Sequence, residues 1–266
     1  MKKVFLMSAL AAIAAVTVSA QTTTDSARVL EQKLISPAPK PQKVKKDWSK
    51  LDLSNRTSDH FMIQLGHDNW AGKPDSIRTK GLSRSFNMYF MFDKPFKGDP
   101  HFSLGFGVGI GSSNIFFENT LIDITGKKNL NKMMFQNADS INHYKKYKLS
   151  NVWAEIPLEL RWISNPEDVN KSWKVAAGLK FGTMLDAHTK GKNPEDKNGN
   201  TLTGQGGVVE KEKSKRFFNS TRIAGTIRLG YGHFSLYGAY QINSLLKDGV
   251  GPQVKPYTIG IALSGL

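Results

Sequence analysis

The sequence predicts an all-β protein: an eight-stranded antiparallel up-and-down β-barrel that spans a membrane around a closed, polar lumen. Three observations carry that prediction. The stretch Phe102 to Gly111, F-S-L-G-F-G-V-G-I-G, alternates large apolar residues with serine or glycine, and a period of two marks a strand with two unlike faces. Seven further segments repeat the alternation, and the connections between them switch strictly between short and long. Aromatic side chains collect at the short-turn ends of the apolar faces: Phe61, Phe92, Phe102, Trp162, Trp173, Tyr231 and Phe234. Amphipathic rings gather in such girdles at membrane–water interfaces.

Glycine weakens a strand unless its face has no room for a side chain. One face of the Phe102–Gly111 strand therefore meets something apolar, and the other looks into a tight space. A small membrane barrel has that geometry, with lipid outside and a packed lumen inside.

Bulk composition narrows the choices. The chain has 266 residues, a formal net charge of +15 and no cysteine. That length allows one large domain or two small ones. Without cysteine there is no disulfide, thiol nucleophile, Cys-ligated zinc or lipoprotein anchor. Beyond residue 20 no apolar run approaches the ~20 residues of a membrane helix. Barrel strands are apolar on one face only and leave a weak hydropathy signal. The basic residues are scattered through loops and an N-terminal arm, with no compact basic helix. Anionic lipid or solubility suits that charge better than nucleic acid does.

In chain order, residues 1–20 read as a secretory signal. Lys2 and Lys3 precede a mostly apolar run from Val4 to Val18, and Val18-Ser19-Ala20 is a small-residue cleavage site, with cleavage after Ala20. Residues 21–58 read as a flexible basic arm: Pro37, Pro39 and Pro41 lie among Lys40, Lys43, Lys45 and Lys46, too little apolar surface for a core. Residues 59–266 form the barrel.

Strand one is expected at 60–67, with Phe61, Ile63 and Leu65 on its apolar face. Strand two, at 83–93, offers Phe86, Met88, Phe90 and Phe92, and strand three is the glycine-striped segment. Strand four spans 149–163 with Val152, Ala154, Ile156, Leu158, Leu160 and Trp162; strand five spans 172–186 with Trp173, Val175, Leu179, Phe181 and Leu185. Strands six, seven and eight are 220–231, 233–243 and 256–264. Turns rich in Pro, Gly, Asn and Asp join strands two to three, four to five and six to seven. The longer links cover 68–82, 112–148, 187–219 and 244–255. Outer-membrane barrels place short turns in the periplasm and long loops outside, which puts the arm in the periplasm.

The competing fold is a water-soluble barrel of the lipocalin kind, since alternation alone does not say which face points inward. It would place glycines outside, where they only cost stability. The signal peptide and the girdle favour the membrane.

On this register the lumen of strand four holds Trp153, Glu155, Pro157, Glu159 and Arg161. Strand five adds Lys174, Lys180 and Asp186, strand six Arg222 and Arg228, and strand two Arg84, Asn87 and Tyr89. Buried charge must be paired, so Glu155 and Glu159 are expected to pair with Lys180, Arg161 or Arg228. Pro157 lacks a ladder donor in mid-strand and suggests a bulge.

The segment Leu149 to Arg161, L-S-N-V-W-A-E-I-P-L-E-L-R, resembles the fourth-strand signature of the PorT-like outer-membrane β-barrel family of Bacteroidota, and Tyr257 to Leu263 resembles its final strand. The resemblance covers residues 59–266. It implies an eight-stranded outer-membrane barrel, and some members resemble accessory parts of the type IX secretion pathway. The long loop after Asp186 and the terminal Leu266, in place of the aromatic end common in proteobacterial barrels, depart from such patterns.

Candidates for chemistry are few. Asp186 and His188 lie two apart at the outer end of strand five, near Ser112 and Ser113 in height; together they would form an acid–base–nucleophile set at the rim, as a lipid-modifying enzyme needs. Gly105, Gly107 and Gly109 imitate a dinucleotide loop but never leave period two. Asp196-Lys197-Asn198-Gly199-Asn200 imitates part of a calcium loop, lacks its closing Glu, and reads as the tip of an outer loop. No metal or cofactor is expected. The basic loops, 112–148 with Lys127, Lys128, Lys132, Lys145, Lys146 and Lys148 and 187–219 with Lys211, Lys213, Lys215 and Arg216, suit lipid phosphates or simply solvation. The sequence thus describes a non-enzymatic outer-membrane barrel acting through its outer loops and arm as a structural, binding or assembly component. Its expected partners are outer-membrane lipid and other envelope or secretion proteins.

Overall fold

Alternating residues that must face two different surroundings fold into strands, and the computed structural model shows how they close. It describes residues 61–138, 141–202 and 207–265; the expected signal peptide and arm lie outside the described residues. The strands are β1 (Phe61–Ala71), β2 (Arg84–Pro95), β3 (Phe102–Phe117), β4 (Thr120–Asp123), β5 (Met134–Asn137) and β6 (His143–Ile163). They continue with β7 (Trp173–Glu195), β8 (Val209–Lys213), β9 (Thr221–Tyr231), β10 (Phe234–Gln241) and β11 (Lys255–Ser264).

Eight of them form a ring. The sheet runs β6-β3-β2-β1-β11-β10-β9-β7, and β6 pairs with β7 to shut it. All these pairings are antiparallel. The seam joins first strand to last, from Met62↔Ser264 to Ala71↔Lys255. Closure leaves no open edge in the wall. At the short-turn end, Gly232 takes φ +58 in the turn between β9 and β10, a conformation that suits glycine. Between β6 and β7 the Asp168 side chain accepts from the Lys171 amide and caps a 3-10 turn, Val169–Lys171.

The outward face is apolar all round. Leu65, Phe86, Val108, Ile156, Phe181, Ile227, Leu236 and Ile259 are all exposed, one from each wall strand. On β6 the band runs from Val152 to Trp162, about 34 Å of strand at 3.4 Å per residue. At the ~40° tilt of such barrels this is about 25 Å of height, the span of an outer-membrane apolar band. A soluble barrel is excluded, because its apolar residues would point inward.

The inward face has two storeys. Towards the short turns it is polar. Towards the long loops it is an apolar plug, in which Trp70, Ile115, Phe117, Leu149, Trp153 and Met184 from the wall meet Ile77, Ile122, Ile124, Phe217, Phe218, Leu245 and Leu246 from the loops. Trp70 packs edge-on against Phe117 with ring centroids 5.4 Å apart.

Four expectations need correction. First, β3, β6 and β7 run on to Phe117, back to His143 and on to Glu195; the sheet continues past the apolar band, into segments expected to be loop. The hairpin β4–β5 and strand β8, which pairs with the extension of β7, were not anticipated. Second, there is no bulge at Pro157. The β3–β6 ladder lapses opposite Pro157 and Ile156 and resumes at Gly109↔Glu155 in the same register. The register shift lies instead at Val152/Trp153 against β7. Third, that shift leaves Leu185 as an extra residue, so Asp186 sits beside outward-facing Val152 rather than in the lumen. Fourth, Arg84 is exposed and shares the outward parity of Phe86.

Candidate functional site: lumen, plug and outer rim

The lower lumen is built by the inward parity of β2, β6, β7 and β9. Glu155 from β6 is the hub. Arg222 Nη1 from β9 lies 2.9 Å from its Oε1, and Lys180 Nζ from β7 lies 3.2 Å from its Oε2. The Tyr89 hydroxyl donates to the same Oε2 at 2.5 Å and accepts from Lys180 at 3.0 Å. Four residues further along β6, towards the short turns, Glu159 Oε2 takes Arg228 Nη2 at 2.7 Å and Arg161 Nε at 3.1 Å. Arg161 also reaches Asp93 at 3.5 Å, and Ser103 donates to that carboxylate at 2.6 Å. Asp68 accepts from Ser113 and Thr258, both at 2.5 Å. Each of these carboxylates has donors from more than one residue, as burial demands.

The glycine stripe of β3 makes room for this network. A Cβ on Gly111 would lie 2.7 Å from Glu155 Oε2, and one on Gly105 would collide with the Arg161 guanidinium. Gly109 leaves the same space for Tyr89. Small residues on one strand thus accommodate long charged ones on its neighbour.

The plug closes the upper lumen. Between β8 and β9 the chain leaves the wall, and Phe217 and Phe218 turn inward, 2% and 1% exposed. The Asn219 side chain donates to the carbonyls of Ser244 and Leu246, both at 2.9 Å, which ties this excursion to the loop before β11. Tyr147 donates to the Ile122 carbonyl at 2.9 Å and accepts its amide at 3.2 Å, which pins β4 to β6. At the outer end, Tyr144 donates to Glu210 and Lys127 meets Glu212 at 2.5 Å.

At the rim, His188 Nδ1 lies 2.7 Å from Asp186 Oδ2, and Lys213 from β8 lies 2.7 Å from Asp186 Oδ1. The serines are engaged elsewhere. Ser113 faces inward onto Asp68, and Ser112 accepts from the Asn114 side chain at 3.2 Å. The structure therefore brings acid and histidine together without bringing either candidate nucleophile to them. In the loop fragment, Asp196 accepts from the Asn198 and Asn200 amides at 2.8 Å and from the Asn200 side chain at 3.0 Å. Its oxygens are spent on the turn.

The expected girdle residues lie on the outward face near the short turns. Phe102 stands beside Trp162, and Trp173, Tyr231 and Phe234 form a row across three strands. Trp173 and Tyr231 touch edge to face at 5.6 Å, and Phe92 stacks on Phe106 at 5.5 Å. Phe61 pairs with Phe90.

Comparison with known proteins adds the following. The family described as "Outer membrane protein beta-barrel domain" matches residues 55–246. No curated protein matches the chain. Among solved structures, the crystal structure of Ail, the attachment invasion locus protein of Yersinia pestis, is similar at 17% identity and a TM-score of 0.30, over 77% of this chain and 94% of that one. The same protein in complex with the heparin analogue sucrose octasulfate is similar at 11% identity and a TM-score of 0.29, with the same coverage. Likeness at that score is too slight to speak of ligand or role.

Proposed function

The chain belongs to the outer membrane protein β-barrel domain family, and from that premise we propose that it is a non-enzymatic barrel, closed to solutes, that acts as a binding or assembly component through its outer face. Its place is the outer membrane. The leader cleaved after Ala20 and the periplasmic arm 21–58 are part of the same proposal.

One observation carries this reading: the interior is filled twice, below by the Glu155 and Glu159 ion-pair clusters and above by the apolar plug. A pore keeps a continuous water-filled path through its interior, and an apolar plug across the upper lumen interrupts one. The loops that fill the plug are also the loops that build an ordered outer head with β4, β5 and β8, and binding tends to sit on such loops held by a rigid wall.

Two measurements test it. Proteoliposomes of the purified chain are expected to retain entrapped small sugars as well as protein-free liposomes do; rapid efflux would overturn the closed reading. Pull-down of the tagged chain from its native membrane in mild detergent then separates roles. Stoichiometric envelope proteins would make it an assembly part, which is where the PorT-like resemblance and a secretion role would enter. Recovery with lipid alone would make it a lipid-binding component.

A further inference from the structure

Outside the barrel, just above the apolar band, the wall carries a basic cleft of about 570 Å³ between the ends of β2, β3, β6 and β7. It is distinct from the lumen and from the Asp186–His188 pair. Its cations come from sheet register rather than from loose loops. Lys148 on β6 stands beside Lys190 on β7, which stands beside Lys211 on β8. Lys146 and Lys192 form the next pair outward. Arg84 flanks the group from β2. Adjacent strands are about 4.8 Å apart, so three ammonium groups share one short row. None of the residues lining the cleft is acidic.

This crowding has a visible consequence. Lys148 is half-buried; it donates to the Asn114 side chain at 2.6 Å, and its ammonium lies 5.6 Å from the Phe116 ring centroid. Arg84 lies 5.9 Å from the same ring. Burial, Lys190, Arg84 and Lys192 together push the Lys148 ammonium below the usual lysine value. Such a cluster calls for an anion of high charge density.

The surroundings say which anion. The cleft opens outward, to the side where the wall meets lipid. Lys148 is two outward positions beyond Val152, the last residue of the band on β6, about 14 Å of strand and about 10 Å of height. The polar layer beyond the hydrocarbon core is about 5–8 Å thick on each side, so this row stands just above it and its long lysine stems can reach down into it. Leu82, 70% exposed, and Phe116 give the cleft an apolar lip. A soluble anion has no use for those apolar side chains, whereas an amphiphile can set its phosphates against the row and its acyl chains against the apolar band directly below it.

We propose that this cleft holds the phosphate groups of a phosphorylated glycolipid of the outer leaflet. The proposal deepens the reading that the outer face does the work, and names its ligand class. The two fail separately: sugar efflux would overturn the closed barrel and leave this binding untouched.

The test uses the full chain in phosphatidylcholine nanodiscs, titrated with bisphosphorylated lipid A, with the same lipid after enzymatic removal of its phosphates, and with inorganic pyrophosphate. The variant combines Lys148→Gln, Lys190→Gln and Lys192→Gln. A control combines Lys127→Gln, Lys128→Gln and Lys132→Gln, an equal loss of charge in the loop between β4 and β5. Both are checked for the heat-dependent gel shift of a folded barrel. At roughly fivefold per basic residue, the cleft variant is expected to bind bisphosphorylated lipid A about a hundredfold more weakly, and the control to match wild type. Dephosphorylated lipid should bind wild type as weakly as bisphosphorylated lipid binds the variant. Equal weakening in the control, equal binding of dephosphorylated lipid, or pyrophosphate binding as tight as lipid A would each overturn the assignment, the last in favour of a soluble anion.

Discussion

Below the level of Val152 the barrel is polar inside and apolar outside; above it, β6 and β7 are apolar inside and basic outside. Strand β6 shows both halves. Its inward residues change from Tyr147, Leu149 and Trp153 to Glu155, Glu159 and Arg161, while its outward ones change from Lys146 and Lys148 to Ile156, Leu158 and Leu160. The backbone is continuous across the change. What differs is the solvent. In lipid the outer face gains nothing from polarity, and the interior is held by charge pairs and hydrogen bonds. In water the ordinary arrangement returns, with a dry core and a charged surface. The level of inversion marks where the membrane ends.

Four changes would break or sharpen that contrast. The largest effect is expected from Glu155→Gln, which leaves Lys180 and Arg222 buried without their shared carboxylate and costs about 4 kcal/mol. Urea unfolding of the barrel in vesicles would read it, and an unchanged midpoint would mean the lower storey is not held by charge. Phe218→Ala opens a hole in the plug at a cost of about 3 kcal/mol. Here the damage should stay local: proteolysis of the outer loops accelerates while the gel shift of the wall persists. If both storeys melt together, the division is only geometric. Ile261→Lys puts a charge in the band between Leu65 and Leu236 and is expected to cost about 2 kcal/mol. Leu202→Lys, similarly exposed but in a loop, should be neutral in the same assay. The smallest effect belongs to Asp123 in the head. Burial opposes its ionisation, yet the amides of Lys128, Gly126 and Thr125 and the Thr125 hydroxyl bring its pKa down to about 2. A depressed carboxyl pKa stabilises above about pH 4 and loses that contribution as pH falls towards 2, about 1 kcal/mol after screening. Faster hydrogen exchange in the 123–128 turn over that range would register it, with the wall unaffected.

The wall was legible because lipid enforces one rule on every strand, and period two survives in composition. Parity alone put Glu155, Lys180 and Arg222 in the lumen, but it offered only Lys180, Arg161 and Arg228 as partners of the carboxylates; that Arg222 is the second cation on Glu155 comes from the structure. The upper storey is hidden in the sequence, because there the rule changes sign. Tyr147 and Leu149 still alternate with Lys146 and Lys148, but an eye looking for apolar residues on the outward parity takes the strand to have ended. Ile115 and Phe117 extend β3 in the same inverted way. Leu185 defeats parity altogether: one extra residue turns Asp186 outward, and only pairing against β6 reveals it. Arg84 needed no structure, since its even number already placed it with Phe86. Phe217 and Phe218 carry no periodicity, so their tuck into the plug left only an apolar pair inside a basic loop as its trace.

The seam between β1 and β11 also sets the order of assembly. The segment that seals the ring, Lys255–Ser264, must find a partner almost two hundred residues earlier in the chain. Until it does, β1 and β10 each present a raw row of amides and carbonyls, the surface on which chains misjoin. Contacts so distant in sequence form slowly. Closure is therefore a late commitment: a wall without β11 would be an open sheet with two adhesive borders.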